Sequence, residues 1–168
     1  MLICTETETE TDIPAIREIV TEAMRLLPQS TGTEAEIVDR LRAADALALS
    51  LVAEEAGRPL GYLAVFEGQI GTERGWAVIG PLAVLPSRHG EGIGSALMAE
   101  ALRRLRRRYK GAVLVGEPGY YGRFGFRAVP GLTVGECPPR YIQALPFGDA
   151  MPRGEVIHHA AFGLEQPL

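Results

Sequence analysis

Asparagine is missing from this chain of 168 residues and lysine occurs once, at Lys110. The Gly-Lys-Ser/Thr of a phosphate-binding P-loop is therefore excluded. Cysteine is scarce too, with only Cys4 and Cys137, and a domain of this size needs no disulfide framework, so the two read as incidental thiols. Aromatic residues make up 7% and the pI is near 5.4, which excludes a broad basic surface interleaved with stacking rings; no nucleic-acid partner is expected. The longest nearly apolar run, Ala46 to Ala53, is eight residues and contains Ser50, far short of the ~20 that span a bilayer. Met-Leu-Ile-Cys leads straight into Thr/Glu alternation, without the basic and apolar regions of a secretory leader. The expectation is a cytoplasmic protein without membrane contact.

What is present fits one globular domain over residues 1–168, with 46% hydrophobic and 23% charged residues. The net charge of -4 is unevenly placed: residues 1–87 hold 14 acids and 6 bases, residues 88–168 hold 7 acids and 11 bases. The second half therefore favours anions.

Period-2 alternation from Leu2 to Thr9 predicts a strand. Thr11, Asp12 and Pro14 open a helix whose apolar stripe (Ile13, Ile16, Val20, Ala23, Met24, Leu27) ends at Pro28. A capping-box pattern, Thr33 to Glu36, starts a second helix that ends near Ala44. Leu47–Glu54 and Leu60–Phe66 predict an antiparallel hairpin around Glu55-Ala56-Gly57-Arg58-Pro59. A Gly-rich loop, Glu67 to Gly75, then precedes a strand from Trp76 to Leu85, interrupted by Gly80-Pro81, where a bulge or splay is expected because proline lacks the ladder donor. Ser95–Tyr109 is the strongest helix, with its arginines outward, where cations complement the helix dipole. A buried strand, Ala112–Gly116, a short helix, and strands near Tyr141–Phe147 and Glu155–Phe162 complete a mixed α/β order, with Val129 to Arg140 read as a loop.

Chemistry concentrates between the interrupted strand and the strong helix, in Pro86-Ser87-Arg88-His89-Gly90-Glu91-Gly92-Ile93-Gly94-Ser95. Glycines let the peptide plane approach a ligand without a Cβ clash, and a helix start adds about half a positive charge. That combination suits a pyrophosphate. A dinucleotide fingerprint fails, because Ser95 stands where the third glycine belongs and the preceding strands are antiparallel.

The runs Pro81-Leu82-Ala83-Val84-Leu85-Pro86, His89-Gly90-Glu91-Gly92-Ile93-Gly94-Ser95-Ala96-Leu97 and Tyr120-Tyr121-Gly122-Arg123-Phe124-Gly125-Phe126 together resemble the GNAT superfamily of N-acetyltransferases. Within it the chain is most similar to a bacterial subgroup with a Tyr-Tyr-x-x-Phe-Gly-Phe block and a late segment like Val156-Ile157-His158-His159-Ala160-Ala161-Phe162. The resemblance implies an α/β fold with a central, mostly antiparallel sheet splayed between its fourth and fifth strands and flanked by helices. It also implies acetyl-CoA as co-substrate. Its pyrophosphate would lie on the amides of His89, Gly90, Glu91, Gly92, Ile93, Gly94 and Ser95, and its pantetheine arm and acetyl carbonyl against the main chain of Leu82, Ala83 and Val84. His89 replaces the family's usual Gln or Arg, with Arg88 one residue early. The family's asparagine after the fifth strand has no counterpart.

The resemblance also puts a general acid at Tyr121, to protonate the departing thiolate, and Glu117 is the carboxylate placed to take the amine proton. His158 and His159 are alternative bases. An amine acceptor, small molecule or peptide, would be met by the variable segments Leu26–Gly32, Glu67–Gly75 and Val129–Arg140. Direct transfer in a ternary complex is expected, since neither cysteine lies in a nucleophile motif. A non-catalytic acyl-CoA sensor and a general anion-binding module are the competing readings, and a homodimer stays open.

Overall fold

In the computed structural model, which describes residues 4–28 and 30–157, the alternating N-terminal segment forms β1 (Cys4–Thr7). It pairs antiparallel with β2 (Leu47–Glu55), from Cys4↔Glu54 to Thr7↔Leu51. Strands β2, β3 (Arg58–Ile70) and β4 (Glu73–Val84) follow as neighbours joined by two-residue turns. Ala56 and Gly57 have φ of 52° and 78°, the double positive φ whose twist matches that of paired strands.

Two expectations are corrected here. The hairpin connection is two residues instead of five, because Arg58 and Pro59 already belong to β3. The expected loop Glu67 to Gly75 is mostly strand, with only Gly71 and Thr72 between β3 and β4. Glycine misled the reading: Gly68 sits in β3 because a Cβ there would collide with the Val78 side chain of β4, so its absence lets the strands pack.

The chain divides into two compact units, Met1–Val65 with Pro81–Leu102 and Phe66–Gly80 with Arg103–Leu168. In the first, α1 (Ile13–Met24) and α2 (Glu34–Ala43) pack together. Ile16, Ile19, Val20, Ala23 and Val38 meet Val52, Tyr62, Ala64 and Ala83 in one core. Side chains alternate across a strand, so Gly61 faces the other way, toward α3 (Ile93–Leu105). A Cβ on Gly61 would lie 2.9 Å from Ile93 Cγ2, 3.0 Å from Leu97 Cδ1 and 3.3 Å from the Ala83 carbonyl. The helix lies close because that side chain is missing.

Helix ends depart from the pattern read in the sequence. Helix α1 stops at Met24 and is preceded by a 3-10 turn, Glu10–Asp12. Thr33 makes no side-chain cap at α2; Glu36 pairs with Arg40 at 2.8 Å, while the Glu34 carboxylate accepts from Ser30 Oγ and the Thr31 amide. Helix α3 begins two residues before Ser95 and ends at Leu105, leaving Arg106, Arg107 and Arg108 in the turn beyond it.

A polar network crosses the first unit. Arg42 donates to both carboxylate oxygens of Glu8, at 2.6 and 2.8 Å, and to Asp39 at 3.0 Å; Asp39 also pairs with Arg17. Ser50 donates to Glu8 and shares a 2.6 Å hydrogen bond with the buried Tyr62 hydroxyl. Burial works to raise the Glu8 pKa, but bonds from Arg42 and Ser50 outweigh it and hold the carboxyl below its usual range.

In the second unit β4 runs parallel to β5 (Gly111–Val115), pairing Trp76↔Gly111, Ala77↔Ala112 and Val78↔Val113. The ladder ends there, although β5 continues to Val115 and β4 to Val84 through Gly80-Pro81. Beyond β5 come α4 (Pro118–Tyr121), β6 (Arg127–Ala128) and β7 (Leu132–Thr133), the last inside the segment expected to be loop. Strand β8 (Ile142–Pro146) pairs antiparallel with β5 and β6, and β9 (Gly154–Ile157) pairs antiparallel with β3 and parallel with β7. Trp76 is fully buried and donates from Nε1 to Glu73 at 2.7 Å; Gly111 leaves room for its ring. The architecture is a mixed α/β fold with an open sheet. Among the described residues no helix is long and apolar enough to cross a membrane.

Two outcomes follow from this packing. Gly61→Val is expected to lower stability by about 2 kcal/mol through overpacking between β3 and α3, read from urea unfolding. Glu8 contributes stability that is fully present above the unfolded carboxyl pKa of 4.5 and lost as pH falls through its lower folded value. Melting curves of Glu8→Gln should therefore lie below wild type near neutrality, by about 2 kcal/mol, and converge with it in acid.

Candidate active site

In the first unit β4 passes through a short 3-10 turn, Pro86–Arg88, into the glycine turn and α3. Gly90 and Gly92 have φ of 81° and 85°, which side chains rarely adopt, and a Cβ on either would meet nothing within 4 Å. Their conformation, more than crowding, requires glycine. Helix α3 takes its first backbone bond from Ala96 to the Gly92 carbonyl at 3.0 Å. The amides of Ile93, Gly94 and Ser95 thus find no acceptor among the described residues. Ile93 itself is anchored, with its side chain 1% exposed.

The two residues before Gly90 are both committed to protein partners. His89 Nε2 lies 2.8 Å from the Val84 carbonyl; since a carbonyl only accepts, that nitrogen carries the proton. Arg88 reaches Glu91 at 2.9 Å and Glu55 at 3.1 Å. Its bonds hold the exposed Glu91 carboxyl below the usual range and push the guanidinium higher still. Arg88 thereby neutralises the acid that sequence places inside the glycine turn.

Leu82, Ala83 and Val84 end β4 just ahead of this turn. Ala83 is a core residue. Leu85 donates to the Leu60 carbonyl of β3 at 2.9 Å, and because successive residues address opposite strand edges, Val84 directs its N–H and carbonyl away from β3. With the β5 ladder over at Val78, Val84 has no strand partner on that edge among the described residues.

In the second unit Glu117 is the N-cap of α4, exposed, its carbonyl accepting from the amides of Tyr120 and Tyr121 at 3.0 and 3.1 Å. Tyr121 is largely buried. Its ring meets Phe126 edge-on with centroids 6.3 Å apart and Tyr120 at 4.9 Å. Burial, with a smaller contribution from Tyr120, pushes the phenol up to about 12. Among the described residues its hydroxyl has no hydrogen-bond partner. Tyr62, by contrast, spends its hydroxyl on Ser50 and Glu8, which makes it structural. His158 and His159 lie outside the described residues.

The structure thus groups Leu82–Val84 with His89–Ser95, and Glu117 with Tyr121, each set within its own unit. Sequence reading missed Arg88's pairing with Glu91, for which the i,i+3 spacing was a signal. It also missed Gln143, a polar residue 1% exposed within β8, visible as a lone amide in the apolar run Ile142–Leu145. Gly116 passed as an ordinary strand end.

Comparison with known proteins agrees with this geometry. A family model for the acetyltransferase (GNAT) domain matches residues 47–128. A solved GNAT family acetyltransferase from Brucella melitensis, in complex with acetyl-CoA, is 45% identical with a TM-score of 0.84, covering 96% of this chain and 98% of that one. The GNAT family N-acetyltransferase YhbS of Escherichia coli, solved in complex with CoA, is 27% identical with a TM-score of 0.86 over 96% and 92% of the two chains. In sequence, the uncharacterized N-acetyltransferase YhbS of Escherichia coli K12 is 35% identical over 99 residues, 57% of this chain and 59% of the relative's length. The likeness runs from the meander through the glycine turn to α4, and the chain belongs to the GNAT acetyltransferase family.

Proposed function

We propose that residues 1–168 act as one acetyl-CoA-dependent N-acetyltransferase domain that passes the acetyl group directly to a primary amine of a small molecule or peptide. The observation that carries this reading is the run of amides at Ile93, Gly94 and Ser95, without acceptors among the described residues, behind the left-handed Gly90 and Gly92. Donors left unpaired at a helix start are what a diphosphate needs. Relatives described in complex with acetyl-CoA or CoA support the same co-substrate.

In this proposal acetyl-CoA supplies a thioester activated toward amines, and the chain supplies position and charge. Amides of the turn hold the diphosphate. The Val84 N–H, on the unpaired edge of β4, donates to the carbonyl oxygen as negative charge develops there. Glu117 takes the proton that the amine must lose, since an unperturbed amine holds it with a pKa near ~10.4. The Tyr121 hydroxyl donates to the sulfur as the C–S bond breaks.

A phenol pushed up to about 12 stays protonated throughout neutral pH. Handing its proton fully to a thiolate of pKa ~8.5 would cost roughly 5 kcal/mol. Hydrogen-bond donation in the transition state is therefore the share assigned to Tyr121, and solvent completes the protonation. The acid role read from the sequence narrows accordingly.

Thiol release from acetyl-CoA against an amine panel is the test. Tyr121→Phe is expected to lower kcat by about 100-fold with little change in the KM for acetyl-CoA. Unchanged kcat across the pH range would remove Tyr121 from the reaction, and saturable acetyl-CoA binding with no productive amine would favour the sensor reading. A second expectation concerns the turn. Arg88→Ala should weaken acetyl-CoA binding about 3-fold by calorimetry, because the Glu91 carboxylate is then left uncompensated beside the diphosphate, and adding Glu91→Gln should restore it.

A further inference from the structure

The second unit holds a glycine and a buried amide that neither the fold nor the proposed reaction has yet used. Gly116 follows β5 directly and continues its pairing: its amide donates to the Tyr141 carbonyl at 3.0 Å. Its own carbonyl accepts from Gln143 Nε2, also at 3.0 Å. The two peptide groups that flank Gly116 are thus both held by the segment around β8. Its φ lies outside the left-handed region, so backbone conformation does not demand glycine here. Space does. A Cβ on Gly116 would stand 2.8 Å from Tyr121 Cδ2, closer still to Cε2, and 3.3 Å from Cζ. The Tyr121 ring occupies the volume that any side chain at 116 would take.

Gln143 sharpens the point. Ser50 and Gln143 are the buried polar side chains among the described residues, and a buried amide is costly unless bonded. Ser50 belongs to the Glu8 network; Gln143 donates from Nε2 to the carbonyl of Gly116, the residue whose missing side chain the ring replaces. Phe126, Tyr120 and Phe124 also pack against the ring, with centroids 6.3, 4.9 and 6.5 Å away.

We infer that Gly116 and Gln143 are positioning residues for Tyr121, Gly116 through the side chain it lacks and Gln143 through its hold on the peptide against which the ring rests. Together they fix where the unpartnered hydroxyl is delivered. This rests on Tyr121 being the hydrogen-bond donor proposed above. A misplacement of about 1 Å at a reacting group costs on the order of 100-fold in rate, so the seat has a measurable consequence.

The test compares Gly116→Ala, Gln143→Met and Tyr121→Phe, alone and combined, in the full chain. Gly116→Ala is expected to lower kcat by about 100-fold while the KM for acetyl-CoA changes less than about twofold. Gly116→Ala with Tyr121→Phe should be no slower than Tyr121→Phe alone, because both act through one hydroxyl. Gln143→Met, which keeps the length and removes the amide, should lower kcat by about 10-fold with the same non-additivity, and it decides the matter if Gly116→Ala fails to fold. Labelled-tyrosine NMR gives a readout independent of turnover: the Tyr121 Cζ resonance should stay that of the neutral phenol to about pH 11 in wild type and begin to titrate nearer pH 10 in Gly116→Ala. If Tyr121→Phe slows the enzyme while Gly116→Ala and Gln143→Met keep full kcat, or if their losses add to that of Tyr121→Phe, the seat is refuted and the donor role survives. If Tyr121→Phe keeps full kcat, both are overturned.

Discussion

A backbone N–H that has lost its water must find another acceptor, and the start of α3 leaves three of them without one among the described residues. Much of the first unit is arranged to keep that end of the helix in place and electrically receptive. Gly61 lets α3 settle onto β3, Ile93 buries its side chain as an anchor, and Gly90 and Gly92 turn the chain through conformations that would strain other residues. Arg88 cancels the one acid in the turn, and His89 ties the turn back to Val84. Each contact is modest; their common effect is a set of donors of settled direction, which under the proposed function spares the ordering cost of binding a diphosphate.

Glycine does two different jobs in this chain. At Gly90 and Gly92 it supplies backbone freedom in open space; at Gly61 and Gly116 the backbone is ordinary and the missing side chain is what matters, because a helix or a ring fills the gap. A sequence does not distinguish the two. The first kind announces itself through spacing before a helix, whereas the second is defined by a neighbour far away in sequence or across a bend. That is why the turn was legible at once and the close approach of Gly116 to the Tyr121 ring was not.

The same division explains how much of the fold could be read in advance. Helices α1, α2 and α3 and the run of strands from β2 to β5 followed from apolar periodicity, and the break at Gly80-Pro81 marked where β4 and β5 stop pairing. Strand boundaries around Gly68 were misjudged because glycine is weak strand material until a facing Val78 requires it. The Thr33 cap was overridden by local carboxylate bonds from Ser30 and Thr31, an outcome decided among near-equal alternatives. Of the candidate site, the motif residues were read from family likeness, while the pairing of His89 with Val84 and of Arg88 with Glu91 and Glu55 needed coordinates.

The one tryptophan in the chain, Trp76, sits wholly buried where β4 meets β5, its ring over Gly111 and its indole nitrogen bonded to Glu73. A single indole thus stands at the first pair of the short parallel ladder that joins the two strands. Its emission is free of overlap from other indoles, so changes in colour or quenching can be assigned to this ladder without labelling, and a shift there reports on local solvent entry.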